Sequence, residues 1–213
     1  MTAKHALGID LGTTHCALAH HRLDEDSEQL PQVLPVPQTV SPGEVAARPL
    51  LPSFIYLPSE VELPEGALSL PWQPSPGAAV GHFAREQGAK VPARLVSSAK
   101  SWLSYSGVDR RAPILPWDAP EGVPRLSPLD ASARYLSHLR HAWDLANPNE
   151  PLSEQDVVIT VPASFDAVAR ELTAEAARAA GLEERLTLIE EPQAALYSWL
   201  VGQGEEWRRQ VEV

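Results

Sequence analysis

The stretch from Asp156 to Val201 limits the fold more than any other part of the chain. Asp156-Val157-Val158-Ile159-Thr160-Val161 is a short, nearly all-apolar, β-branched run, the pattern of a buried central strand. Pro162-Ala163-Ser164-Phe165 ends it. Asp166 can then cap a helix to about Ala180, with Val168, Leu172, Ala176 and Ala179 on one face and Gly181 as its stop. Leu186-Thr187-Leu188-Ile189 reads as a second buried strand. Glu190-Glu191-Pro192 opens another helix, with carboxylates at its positive end and proline near its first position, running to about Val201 before Gly202. A β-α-β-α order of this kind predicts an α/β domain.

The N-terminus predicts a β-hairpin. An apolar run (Ala6, Leu7, Ile9) enters Gly8-Ile9-Asp10-Leu11-Gly12-Thr13-Thr14, and a second strand from about Cys16 to His20 leaves it. Gly12 has no Cβ, so the turn is free to take unusual dihedrals and to bring backbone N–H groups close to a ligand. Successive N–H groups, with the Thr13 and Thr14 hydroxyls beside them, make a concavity suited to phosphate. Asp10 would repel a phosphate unless a divalent cation or its water shell lies between them. Mg²⁺ keeps several waters and takes one or two carboxylates, so a lone Asp suits it. The spacing is neither that of a dinucleotide fingerprint nor that of a P-loop.

Composition narrows the classes. The 213 residues suffice for one large domain or two small ones with a real core, and the net charge of −11 argues against nucleic acid and anionic membrane as partners. No apolar run approaches the ~20 residues of a membrane span, and the N-terminus enters the hairpin without a secretory pattern. The single cysteine, Cys16, sits among small apolar residues and reads as a buried small hydrophobe; a cytoplasmic location fits. Most of the 21 prolines lie between Pro31 and Pro128, predicting extended segments and turns with little helix there.

Ahead of that middle region, Asp24 to Glu28 reads as a solvated acidic turn; within it, Leu51 to Leu57 reads as one strand. Glu60 to Pro76 reads as an irregular surface insertion. Residues 104–128 read as loops and short strands. A helix from about Ala131 to Ala146 carries Tyr135, Leu136, Leu139, Ala142, Trp143 and Ala146 on one face, and His138 and His141 read as a solvent-facing pair.

Together the hairpin, the Lys100 segment and "VVITVPASFDAVARELTAEAARAAGL…LTLIEEPQAALYSWL" resemble the seventy-kilodalton heat-shock (DnaK-like) chaperones of the actin-like ATPase superfamily. The resemblance implies lobe I of an actin-like (ribonuclease H-like) α/β ATPase domain, a mixed sheet flanked by helices plus a Pro-rich smaller subdomain. The implied subdomains are IA over about 1–34 and 130–213, and IB over about 35–129. ATP or ADP and Mg²⁺ are the implied cofactors. By position, Asp10 matches the carboxylate that meets the Mg²⁺ water shell, and Gly12, Thr13 and Thr14 match the phosphate loop. Lys100, on the short helix that the resemblance implies over Arg94 to Leu103, matches the catalytic lysine facing the γ-phosphate, and Glu191 the carboxylate that helps hold the metal and attacking water. Pro162 and Arg170 match a pair linked to allosteric signalling between nucleotide state and substrate domain. His15 departs from the family's usual tyrosine.

The family's second phosphate loop, adenosine-binding segments, peptide-binding domain and lid have no counterpart in these 213 residues. The expectation is therefore a fragment, inactive alone, of a stress-response chaperone that hydrolyses ATP. Its full-length form would act in protein folding, binding unfolded peptide clients and cochaperones. A non-catalytic actin-like scaffold is the alternative from another class. The sugar and acetate kinases of the superfamily share the hairpin but not the "VPASF…IEEPQAAL" stretch.

Overall fold

The computed structural model describes residues 2–24 and 30–203, so the expected acidic turn beyond Asp24 lies outside the described residues. The chain opens with the hairpin β1 (His5–Leu11) and β2 (His15–Arg22), followed by β3 (Gln32–Val33) and a second hairpin of β4 (Val36–Ser41) and β5 (Glu44–Arg48). Short strands β6 (Leu51–Pro52), β7 (Ile55–Tyr56) and β8 (Ala79–Val80) lead to α1 (His82–Lys90), β9 (Leu95–Val96) and α2 (Ala99–Ser104). The last part comprises α3 (Pro128–Ala146), β10 (Asp156–Val161), α4 (Ala167–Ala179), β11 (Leu186–Glu190) and α5 (Glu191–Gln203).

The main sheet runs β11-β10-β1-β2-β3, with β6 also pairing β2. It is mixed: β1 lies antiparallel to β2 but parallel to β10, and β10 is parallel to β11. Alternation along β1 sends Leu7, Ile9 and Leu11 into the core and Ala6, Gly8 and Asp10 to the other face. The core face meets α3 and α4, where Leu18, Leu136, Leu139, Trp143 and Ile159 are completely buried. The opposite face carries only α5 among the described residues, which is why β10 alternates between buried and half-buried positions and β11 is mostly half-buried. Both were expected to be buried strands, and the less covered face accounts for their half-buried positions.

Four further expectations are corrected. Leu51–Leu57 is not one strand: β6 joins the main sheet and β7 joins a separate β8-β7-β9 sheet, because Ser53 is drawn out of the extended line by hydrogen bonds to the β1–β2 turn. The Arg94–Leu103 segment is helical only over α2, after β9 has paired with β7. In α4 the buried stripe is Ala169, Leu172, Thr173, Ala176 and Ala177, while Val168 and Ala179 face solvent; the helix is rotated so that its small residues meet α3. His138 is not solvent-facing: it is 5% exposed, its Nε2 lies 2.8 Å from the Pro37 carbonyl oxygen, and Trp72 of the insertion packs edge-on to it and stacks on His141. Burial pushes the His138 imidazole pKa down to about 4.

Candidate functional site

A cleft of about 580 Å³ opens at the carboxyl ends of β1 and β10, lined by Asp10, Gly12, Thr13, Lys100, Thr160, Glu191 and the first turns of α5. Parallel strands end here with their turns exposed, the usual place for a ligand in an α/β sheet. The register pairs Asp10 with Thr160, and the Thr160 hydroxyl donates to the Asp10 carboxylate at 3.4 Å. Asp10 therefore stands at the mouth of the cleft on the face away from the core.

The β1–β2 turn is held from behind. The Ser53 hydroxyl donates to the Gly12 carbonyl oxygen at 2.7 Å, and the Ser53 N–H donates to the Thr14 carbonyl oxygen at 2.9 Å. Gly12 is demanded by space: a Cβ there would stand 2.1 Å from the His15 carbonyl oxygen. Its φ is not in the left-handed region. Cys16 lies beneath the turn, fully buried and 3.2 Å from the Ser53 hydroxyl, and burial pushes its thiol pKa up to about 11, as expected of a packed rather than a reactive cysteine.

Lys100 reaches the cleft from α2. Ser98 enters that helix with φ 55°, a left-handed conformation that a non-glycine residue adopts at a cost of order 1 kcal/mol. The Lys100 side chain is 9% exposed and its Nζ lies 2.5 Å from Glu191 Oε1. Glu191 is the first residue of α5, where a carboxylate also meets the positive end of the helix. Its neighbour Glu190 turns away to Arg170, 2.6 Å distant. Buried Arg110 secures the far end of α2: its Nε donates to the Tyr105 carbonyl oxygen at 3.1 Å and its two terminal nitrogens each approach the Asp166 carboxylate at 3.4 Å. The Ala169 N–H and Arg110 hold the Asp166 carboxyl below the usual carboxylate range.

The cleft thus gathers five of the residues singled out in the sequence: Asp10, Gly12, Thr13, Lys100 and Glu191. Thr14 lies beside it, with its hydroxyl 3.3 Å from His15 Nδ1. Pro162 and Arg170 are outside it: Pro162 accepts from the Phe165 N–H, and Arg170 reaches the Phe165 carbonyl oxygen and Glu190. Sequence reasoning missed Thr160 and Ser53. Thr160 was visible as the one polar residue inside the apolar run 157–161, but its role depends on the register against β1.

The donor set suits a hydrated divalent cation with phosphate. Among the described residues no cluster of three or more His, Cys, Asp or Glu side chains gathers to hold a metal directly. Two carboxylates, an ammonium and the Gly12–Thr13 turn fit Mg²⁺ that keeps waters and shares phosphate oxygens. No aromatic side chain lines the cleft, so nothing described here would stack on a base.

Residues 74–206 match the Hsp70 protein family. The chaperone protein HscA of Salmonella paratyphi C (strain RKS4594) is 33% identical over 210 residues, an alignment covering 94% of this chain and 29% of the relative. HscA of Salmonella newport (strain SL254) aligns with the same identity and coverage. The chain thus spans about 29% of the length of the curated relatives it matches.

Proposed function

The chain belongs to the Hsp70 family, and from that premise we propose that it forms lobe I of an actin-like ATPase domain in a DnaK-like chaperone. The whole protein would couple Mg·ATP hydrolysis to the binding and release of unfolded peptides, with cochaperones, in the cytoplasm. Subdomain IA would comprise about 1–34 and 130–213, and IB about 35–129, with a second lobe closing the cleft. The observation that carries this reading is the convergence of Asp10, Gly12, Thr13, Lys100 and Glu191 on one cleft from β1 and its turn, α2 and α5.

The bound nucleotide supplies the phosphoanhydride to be cleaved, and Mg²⁺ supplies positive charge beside it. The residues do the positioning, which is most of what phosphoryl transfer asks of a protein. The N–H groups and hydroxyls at Thr13 and Thr14 hold phosphate oxygens. Asp10, which accepts from the Thr160 hydroxyl, would orient water held by the cation. Lys100 exchanges its Glu191 partner for a phosphate oxygen, and its ammonium follows the charge as it develops. Glu191, once released, orients the attacking water. Arg170 pairs with Glu190, the residue directly before Glu191, which gives Pro162 and Arg170 a short route to the site.

Affinity follows from the same geometry. Micromolar binding needs about −8 kcal/mol, charge-assisted hydrogen bonds bring roughly 1.5–3 kcal/mol each, and association costs at least about 4 kcal/mol. With no stacking wall, the 213-residue chain binds Mg·ATP weakly or undetectably by calorimetry. A protein extended to its relatives' length binds at micromolar level and turns ATP over, and Lys100→Ala abolishes turnover. Absence of turnover in that longer protein, or turnover indifferent to Lys100→Ala, would instead favour the non-catalytic scaffold.

A further inference from the structure

The β4–β5 hairpin forms a sheet of only two strands, and β5 is its outer edge. Glu44, Val45, Ala47 and Arg48 are exposed and Ala46 is half-buried. Among the described residues no backbone group outside the hairpin bonds to residues 44–48.

The phase of the ladder shows which groups are free. Pro37 pairs with Ala47, but Pro37 has no N–H, and its carbonyl oxygen points the other way, to His138 Nε2 at 2.8 Å. Pro37↔Ala47 is therefore a non-hydrogen-bonded pair, and so, two residues on, is Thr39↔Val45. The N–H and C=O groups of Val45 and Ala47 consequently face outward from the hairpin. Such a row of unmet groups is a template for another strand.

We infer that β5 is a self-pairing edge: two copies of this chain join antiparallel about a two-fold axis at Ala46. In that register Val45 and Ala47 of one copy exchange backbone hydrogen bonds with Ala47 and Val45 of the other. Glu44 stands opposite Arg48 of the second copy, and Arg48 opposite its Glu44. The charges select this arrangement. An in-register parallel pairing sets Glu44 on Glu44 and Arg48 on Arg48. The antiparallel registers centred on Glu44 or Arg48 likewise bring like charges together, which is unfavourable across strands. Arg48 makes no ion pair among the described residues, and Glu44 accepts only from the Ser41 hydroxyl. A five-residue edge buries less than the roughly 1,000 Å² of a stable complex, so the dimer is a weak one.

Sedimentation equilibrium of the full 213-residue chain up to millimolar concentration tests this. The wild type shows a monomer–dimer equilibrium. Ala47→Pro, which removes an outward N–H without touching a hairpin bond, abolishes it. Glu44→Arg and Arg48→Glu each raise the dissociation constant about tenfold, while an equimolar mixture of the two, and the double variant Glu44→Arg/Arg48→Glu, restore association. Ala46→Cys cross-links to a disulfide dimer under oxidised glutathione because non-hydrogen-bonded pairs bring Cα atoms to about 4.5 Å. Val45→Cys cross-links far more slowly, and Cys16, fully buried, stays silent. A chain that remains monomeric overturns the inference, as does a dimer indifferent to Ala47→Pro and to charge reversal. A monomer with Val45 and Ala47 amides protected from hydrogen exchange also overturns it, because another part of the chain then covers the edge.

Discussion

Helices α4 and α5 are each 13 residues long, and each follows a strand of the same parallel pair. Each begins with a local cap: the Asp166 carboxylate accepts from the Ala169 N–H at 2.7 Å, and the Gln193 side chain accepts from the Glu190 N–H at 3.1 Å. Their burial differs completely. Helix α4 buries Ala169, Leu172, Thr173, Ala176 and Ala177, whereas α5 buries none of its residues and leaves Leu196, Tyr197, Trp199 and Val201 exposed. Helix α4 is amphipathic, with one stripe matched to one covered face. Helix α5 is apolar around its circumference, the pattern of a helix covered on several sides. Local rules of propensity and capping thus determine that both segments are helical, and only the stacking of further layers determines what each buries.

The largest effect expected from this contrast is on the covered helix. Leu172 is fully buried, so Leu172→Ala lowers the unfolding free energy by about 2–5 kcal/mol, measured by urea denaturation of the 213-residue chain. A loss under about 1 kcal/mol would mean that the α4 face collapses around the deletion, and the two helices would then differ less than their burial suggests.

A second probe uses charge on the covered side. The His138 pKa is depressed to about 4 by burial. Between the ordinary histidine value near 6.5 and that depressed value, the unfolded chain binds a proton that the folded chain refuses. Stability therefore falls as pH drops from about 6.5 to about 4, by a contribution of order 3 kcal/mol from this residue. His138→Gln keeps a donor for the Pro37 carbonyl oxygen and removes the titration, so the pH slope of the melting temperature flattens across that window. Equal slopes in the two proteins would show that protons entering elsewhere dominate.

How much of this was legible in the sequence follows from the same division between local and layered effects. The β1–β2 hairpin, α3, the β10–α4–β11–α5 succession and the Gly181 stop, which has φ 78°, were readable because each is written in a short window. The hairpin motif and the family resemblance singled out Asp10, Gly12, Thr13, Lys100 and Glu191, and the fold brings these five to one cleft. What was not readable came from partners distant in sequence. Ser53 breaks a strand because its hydroxyl and N–H are claimed 41 residues away by the β1–β2 turn and beside it. His138 is buried because the Trp72 insertion folds back over α3, and the α4 stripe is rotated because its neighbour is α3 rather than water. Periodicity identifies the face of a helix, but not which apolar residues on a mixed face find a partner.

The smallest effect is the most discriminating. Leu196 is 53% exposed on α5, and Leu196→Ser in the 213-residue chain changes stability by no more than about 0.5 kcal/mol, as surface substitutions do. The proposed second lobe would close on α5 in a protein of the relatives' length, and there the same change removes a buried leucine and costs roughly 2 kcal/mol or more. The measurement is the difference between the two differences, so errors common to both backgrounds cancel. A large loss already in the short chain would mean that α5 is covered within these 213 residues. Two small losses would mean that the apolar circumference of α5 is met by neither background. Only the combination of a small and a large loss ties the exposed helix to the layer proposed to cover the cleft beside Glu191.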